Sequence, residues 1–311
     1  MTHETKNSLY KNNNRAVGRG DIKTKRGKIS NQSFGVIRPK NLTKTRKLRG
    51  FELIIIESLN PTEKQTGTIL HEETIKYKKF QEPNLSSTLI KVGSKIDFIS
   101  CLKQIHKRIK IERLFPILHL ETHGSEDGLH LANRDLLTWE DFFDETRSIN
   151  ILLKNSLMIN LAMCQGISLI AKVDPMKRAP FRAIIGTLST ISESKLLEAF
   201  EIFYTSFFFS LSGAKSVNEV NKVLTKDGLS FIYFKSEDFI DKFIDKKRDL
   251  QFRKHLINDM AIKEKATNPD IKNVDFKDVL NYSEEITEKM INEVRNYRDK
   301  FLMKDIKRFF L

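Results

Sequence analysis

The chain has 311 residues, 40% of them hydrophobic, enough to bury a large core in one sizeable domain or two smaller ones. Its formal net charge of +14 is unevenly spread: residues 1–50 hold 14 Lys and Arg against 2 Asp and Glu, and the other 261 hold 40 against 38, so the globular part is nearly neutral and is not expected to bind nucleic acid. Two cysteines exclude a disulfide-stapled scaffold and fit a reducing compartment.

Residues 1–50 form a basic leader containing Arg19-Gly20-Asp21, Lys25-Arg26-Gly27-Lys28 and Lys44-Thr45-Arg46-Lys47-Leu48-Arg49. Such a composition cannot bury enough surface to offset its ordering entropy and is expected to be disordered. The leader has no apolar core of signal-peptide length, so the expected address is the cytoplasm. A solvated tail is the plain expectation for a block of like charge. A tether to nucleic acid or an acidic membrane, and a removable pro-segment, remain open.

Residues 51–58 are an apolar first strand, followed by a polar connection through Pro61 and Gly67 and a weaker strand at 88–92. Ser94 is placed to cap a helix in which Phe98, Leu102, Ile105 and Ile109 keep helical spacing to about Arg113. Cys101, on the apolar side of that helix, reads as a small buried hydrophobe. The run 115–122 has the length and branching of a strand buried on both faces, and it leads directly into His123-Gly124. A small hairpin punctuated by Gly128 and Asn133-Arg134-Asp135 comes next. Thr138 then caps an amphipathic helix beginning at Trp139.

A second buried strand, 157–163, leads into Cys164-Gln165-Gly166, after which 165–172 is expected to open a helix. A further strand covers 181–187. Ser192 and Ser194 introduce a Phe-rich core helix, 199–211 being too short to span a bilayer and interrupted by Glu201; Gly213 is expected to end it. A helix at 216–225 and a last strand at 229–234 follow. From 236 the chain turns helical and charged, and Ile286, Met290, Val294, Tyr297 and Phe301 form an apolar face that should pack on the core. Strands alternating with helices give an α/β fold with a mainly parallel sheet. The expected divisions are a leader at 1–50, a domain at 51–234 and a helical extension at 235–311.

His123 and Cys164 lie 41 residues apart, each at the carboxyl end of a buried strand. That edge of an open α/β sheet is where ligands bind, and neighbouring strands lie about 4.8 Å apart, so an imidazole and a thiol can meet there. A thiolate is the nucleophile, and an adjacent imidazole can pair with it or take its proton. Gly124 and Gly166 remove side chains beside both groups, letting a substrate approach and main-chain amides face an oxyanion. A helix opening after Cys164 would add its N-terminal amides. In outline this is an acyl-transfer site. His119, Glu121 and His123 form H-x-E-x-H rather than the helical H-E-x-x-H of zinc peptidases, with no further cluster to supply another ligand. No metal and no cofactor is expected, and His119 reads as a core histidine.

Ala162-Met163-Cys164-Gln165-Gly166 resembles the caspase signature Q-A-C-[RQG]-G in its last three positions, at a similar His-to-Cys spacing. His119-Leu120-Glu121-Thr122-His123-Gly124, with Asp127-Gly128-Leu129 and Leu131, resembles the bacterial CHAT branch of the caspase-like cysteine peptidases. The resemblance covers about 51–234. It implies a three-layer αβα sandwich and a cysteine endopeptidase working through an acyl-enzyme. His123 would then be general base and acid, Cys164 the nucleophile, and the Gly124 and Cys164 amides the oxyanion donors. It also implies a protein substrate, an activating protein partner and a role as a regulated effector in bacterial defence or cell death. Control is expected in the connection 60–87 and the loop 173–180. Ala162 replaces the glutamine that helps line an aspartate-selective pocket, so cleavage after aspartate is not implied. Glu121, with Ala162 and Gln165, is expected to line the pocket for the residue before the scissile bond and to favour a basic or polar side chain. A non-catalytic interaction module of the same fold and a nucleic-acid binder acting through the leader are the alternatives.

Overall fold

The computed structural model describes residues 51–78, 85–248 and 276–306; the basic leader, 1–50, lies outside the described residues. In chain order the elements are β1 (Phe51–Glu57), a helical stretch α1 made of Thr66–Ile69, the π-helical Leu70–Ile75 and Lys76–Lys78, β2 (Ser86–Lys91), α2 (Lys95–Glu112) and β3 (Phe115–Glu121). Three short strands follow, β4 (His123–Gly124), β5 (Gly128–His130) and β6 (Leu136–Thr138), then α3 (Trp139–Leu152), β7 (Met158–Ala162) and a 3-10 turn at Gly166–Lys172. The rest comprises β8 (Ala183–Thr187), α4 (Glu193–Ser210), α5 (Gly213–Leu224), β9 (Phe231–Lys235), α6 (Ser236–Arg248) and α7 (Phe276–Phe301).

Six of these strands form one sheet in the order β2-β1-β3-β7-β8-β9. Pairing is parallel from β2 through β8 and antiparallel between β8 and β9. The small strands make a separate antiparallel sheet, β4-β5-β6, which grows out of the carboxyl end of β3.

Successive side chains on a strand point to opposite faces, and here both faces are covered. Ile54, Ile56, Leu118, Leu120, Ile159, Leu161 and Ile184 enter a core shared with α2, α3, α6 and α7. Leu53, Ile55, Ile117, Ala162 and Ile185 enter a second core beneath α1, α4 and α5. The arrangement is three-layered, and the continuous apolar runs of β1 and β3 follow from burial on both sides.

Local chemistry fixes the helix starts. The Ser94 hydroxyl accepts from the Asp97 amide at 3.2 Å, and the Thr138 hydroxyl accepts from the Asp141 amide at 3.3 Å. Lys95 then pairs with Asp141 at 2.7 Å, tying the two starts together. Beneath them Phe142 is fully buried among the rings of Phe98, Trp139 and Phe143.

Several expectations change. The connection 60–87 is not a plain polar loop, because 66–78 is helical with Thr66, Gly67, Leu70 and Ile75 buried. The Phe-rich helix α4 ends at Leu211 in the left-handed conformation. Gly213 instead opens α5, where a Cβ would meet the Tyr233 ring at 2.7 Å. In α7 the packed face is Thr287, Ile291, Val294 and Phe301, whereas Met290 is exposed; the Ile286 side chain lies outside the described residues. That face meets Phe239, whose ring stacks on Phe301 with centroids 5.7 Å apart. The loop 173–180 is held as well: the Ala179 amide donates to the Phe301 carbonyl at 3.0 Å, and Arg178 grips Asp305 with both terminal guanidinium nitrogens.

Truncating a fully buried aromatic removes its contacts and leaves a cavity, so Phe142→Ala is expected to cost about 3–5 kcal/mol. Thr138→Ala, which removes only the cap, is expected to cost about 1 kcal/mol. Urea denaturation midpoints at constant slope will test both values.

Candidate active site

Glu57, Glu121 and Ala162 lie side by side across β1, β3 and β7 as register partners. His123 stands two residues beyond this row on the β3 chain, and Cys164 two residues beyond it on the β7 chain. The two turns touch: a Cβ on Gly124 would lie 2.5 Å from the Cys164 carbonyl oxygen and 2.9 Å from Met163 Cγ. Only glycine fits there, and its absent side chain is what lets the His-Gly turn lie on the cysteine turn. Gly166 answers to packing instead, since a Cβ there would come within 2.9 Å of Leu161 Cβ.

The His123 side chain is 55% exposed, with its Nε2 3.0 Å from Glu63 Oε1. Glu63 belongs to the turn after β1. There its Oε2 accepts from the Asn60 amide at 2.8 Å, while the Thr62 amide donates to Asn60 Oδ1 and Gln65 Nε2 to the Asn60 carbonyl. Partial burial pushes the Glu63 carboxyl up, but the Asn60 amide and His123 outweigh it and hold the group below its ordinary value.

The helix that continues from this turn is pinned by two buried carboxylates. The Thr68 amide and hydroxyl donate to Glu57 at 2.9 and 2.6 Å. The Thr66 hydroxyl donates to Glu121 Oε2 at 2.7 Å. Gly67 fits between them, where a Cβ would strike Glu121 Cγ at 2.8 Å.

Cys164 is half-buried and packs on the core beneath α4. Its Sγ lies 3.5 Å from the Ile191 amide, which donates to it, and 3.6 Å from the Ile191 carbonyl, which can accept from the thiol. The Gln165 amide donates to the Ser189 carbonyl at 3.4 Å, so the segment following β8 clasps the cysteine turn. Among the described residues no hydrogen bond joins His123 to Cys164; each side chain has its own partner.

The structure also corrects the support expected behind the thiol. Gln165 is left-handed (φ 54°) and the turn that follows is a short 3-10 segment, not an α-helix with a free amino end. The amide at the sulfur comes from Ile191. On the histidine side, the Ser125 amide donates to the Gly128 carbonyl at 3.0 Å. Hydrogen-bonded pairs in an antiparallel ladder alternate, so Gly124, paired with Leu129, is a position whose amide turns away from β5. The Cys164 amide has no acceptor among the described residues.

Glu121 and Ala162, both expected at the substrate pocket, are each 1% exposed. With its other oxygen on Thr66, Glu121 takes His119 Nε2 on Oε1 at 3.0 Å. His119 Nδ1 faces the Tyr204 hydroxyl at 2.9 Å, and that oxygen accepts from Asn160 Nδ2 at 2.6 Å. Donors and acceptors fit one direction: Asn160 to Tyr204, Tyr204 to His119, His119 to Glu121. Burial holds the Tyr204 phenol well above its ordinary range. His119 is thus a core residue and Glu121 its anchor, and neither reaches the rim. Gln165 remains half-buried beside Cys164.

The two thiols differ sharply. Cys101 is 5% exposed, and burial pushes it up to about 11. Glu63 and the Ile191 backbone are the site groups that sequence patterns did not reveal.

No protein-family model matches this sequence, and no curated protein matches it.

Iodoacetamide at pH 8 should alkylate Cys164 and spare Cys101 in the folded protein, as peptide mass spectrometry will show. Because the Cys101 pKa is raised on folding, its contribution is complete below pH 9 and is lost as pH rises towards 11. The loss is roughly 1.4 kcal/mol per unit of displacement. Urea stability should therefore fall above pH 9, and less steeply in Cys101→Ala. Tyr204→Phe removes the donor to His119 and leaves a buried ring nitrogen unpaired, at an expected cost of about 1–3 kcal/mol in the same assay.

Proposed function

We propose that this protein is a cysteine hydrolase of the caspase-like type that cuts peptide bonds in a protein substrate through His123 and Cys164. The observation that carries this reading is the fit of Gly124 against the Cys164 carbonyl, just past the in-register parallel pairing of Glu121 with Ala162. It brings an imidazole-bearing turn and a thiol-bearing turn to the same edge of the sheet, the edge where α/β folds bind ligands. The motif resemblance and the three-layer arrangement support the family assignment.

The chemistry follows from the separate anchoring of the two side chains. The Cys164 thiol gives its proton to the His123 ring, and the sulfur, which accepts from the Ile191 amide, attacks the substrate carbonyl carbon. The oxyanion that forms faces the Gly124 and Cys164 amides. No hydrogen bond ties the ring to the sulfur among the described residues, so the imidazolium of His123 is free to act across the scissile bond, giving the proton it received to the departing amine. Water then attacks the thioester, His123 takes a proton from it, and the acid product leaves with the thiolate restored. Selectivity rests on rim groups such as Gln165, since Glu121 and Ala162 are beneath the surface.

Cys164→Ala and His123→Ala are each expected to lower cleavage at least 10³-fold while leaving the thermal unfolding midpoint nearly unchanged. Mass spectrometry of digests of candidate protein partners reads the products. Cleavage that persists in Cys164→Ala would overturn the proposal, and a non-catalytic interaction module would give no Cys164-dependent products.

A further inference from the structure

The geometry points to Glu63 as the positioning residue of His123, one that fixes which ring nitrogen carries the proton and so which one does chemistry; this inference rests on the proposed His123–Cys164 reaction. A neutral imidazole has one N–H and one lone pair, and a carboxylate only accepts. Glu63 Oε1 is 3.0 Å from Nε2, and the carboxyl is held towards its ionised form by its surroundings. The proton therefore belongs on Nε2, and the lone pair on Nδ1. Nδ1 has no partner among the described residues, which leaves it as the atom that can receive and return a proton.

Any charge that the ring gains in the proposed reaction forms within hydrogen-bond reach of the same carboxylate. Both Glu63 oxygens are engaged, Oε1 by the ring and Oε2 by the Asn60 amide. The residue is therefore committed to His123 and is not a free acid awaiting a basic substrate side chain. It is not a stability element either: the pair is 55% and 32% exposed, and exposed ion pairs contribute little.

What makes the contact more than a chance surface pair is its mounting. The turn that carries Glu63 runs straight into α1, whose Thr66 and Thr68 are bonded to Glu121 and Glu57 at the ends of β3 and β1. His123 leaves the same end of β3 two residues later. Donor and acceptor are thus held from one rigid row of the sheet, which is the support a reacting ring requires.

Nitrogen-15 spectra of the full chain labelled at histidine, with His123 assigned by difference against His123→Asn, test the tautomer directly. The native ring should show a protonated Nε2 and an unprotonated Nδ1 above the titration range. In Glu63→Leu that signature should give way to a mixture, with Glu63→Asp recovering part of it. Cleavage of denatured casein, followed by mass spectrometry and referred to Cys164→Ala, should lose about 10- to 100-fold in kcat in Glu63→Leu, with KM changed less than twofold. An unchanged His123 spectrum in Glu63→Leu overturns the inference. So does an altered preference for basic residues at unchanged kcat, which would make Glu63 a substrate contact. If the native chain yields no Cys164-dependent products from casein or from candidate partners, the peptidase reading fails, and the imidazole spectrum still decides whether Glu63 orients the ring.

Discussion

Because β3 and β7 pair in parallel with Glu121 opposite Ala162, the two chains leave the sheet side by side and in the same direction. The His123-Gly124 turn and the Cys164 turn inherit their contact from that pairing. A slip of one residue would exchange the faces of every side chain on the strand, taking Glu121 away from Thr66 and His119 away from Tyr204. The alternation of Leu118 and Leu120 into one core with Ile117 into the other opposes such a slip. Hydrophobic patterning therefore holds the rim in place from below.

The layer beneath α1 and α4 is unusual in carrying a line of buried polar groups through an otherwise apolar core. Asn160, Tyr204, His119, Glu121 and Thr66 satisfy one another in sequence. Glu57 is served on both oxygens by Thr68, and Lys91 lies 3.2 Å from Oε2, the one that the hydroxyl bonds. Buried polar networks are tolerated only when their members are paired, and in this network the exception is Asn160 Oδ1, which has no partner among the described residues. The network locks the first turn of α1 onto the ends of two strands. Stiffness at that point is passed to the Asn60 turn and from there to the imidazole.

Much of the fold was legible locally. The strands announced themselves by branched apolar runs, and Ser94 and Thr138 cap as their side chains suggest. That His123 and Cys164 stand just past the ends of adjacent strands was legible for the same reason, since each follows such a run. The start of α1 was not, because Thr66-Gly67-Thr68 are weak helix formers held by carboxylates that lie elsewhere in the chain. The role of Glu121 was half visible: alternation put it on the face of His119 and His123, but only the packing of α1 and α4 decides whether that face is solvent or core. Glu63 belongs to no pattern, being 60 residues from its partner. The contribution of Ile191 is a main-chain amide, which any residue but proline could supply. In α7 two interleaved apolar sets were available, and docking against Phe239 selects Ile291 over Met290.

The grip of Arg178 on Asp305 spans 127 positions of chain. All six strands of the large sheet are complete by Lys235, so the hydrogen-bonded framework can assemble before the residues that fasten the loop after the cysteine turn have joined it. The two sides of the sheet are consequently unequal in how they are sealed. One is roofed by helices woven between its own strands; the other is finished in part by a late arrival that could peel back without breaking a single strand pairing.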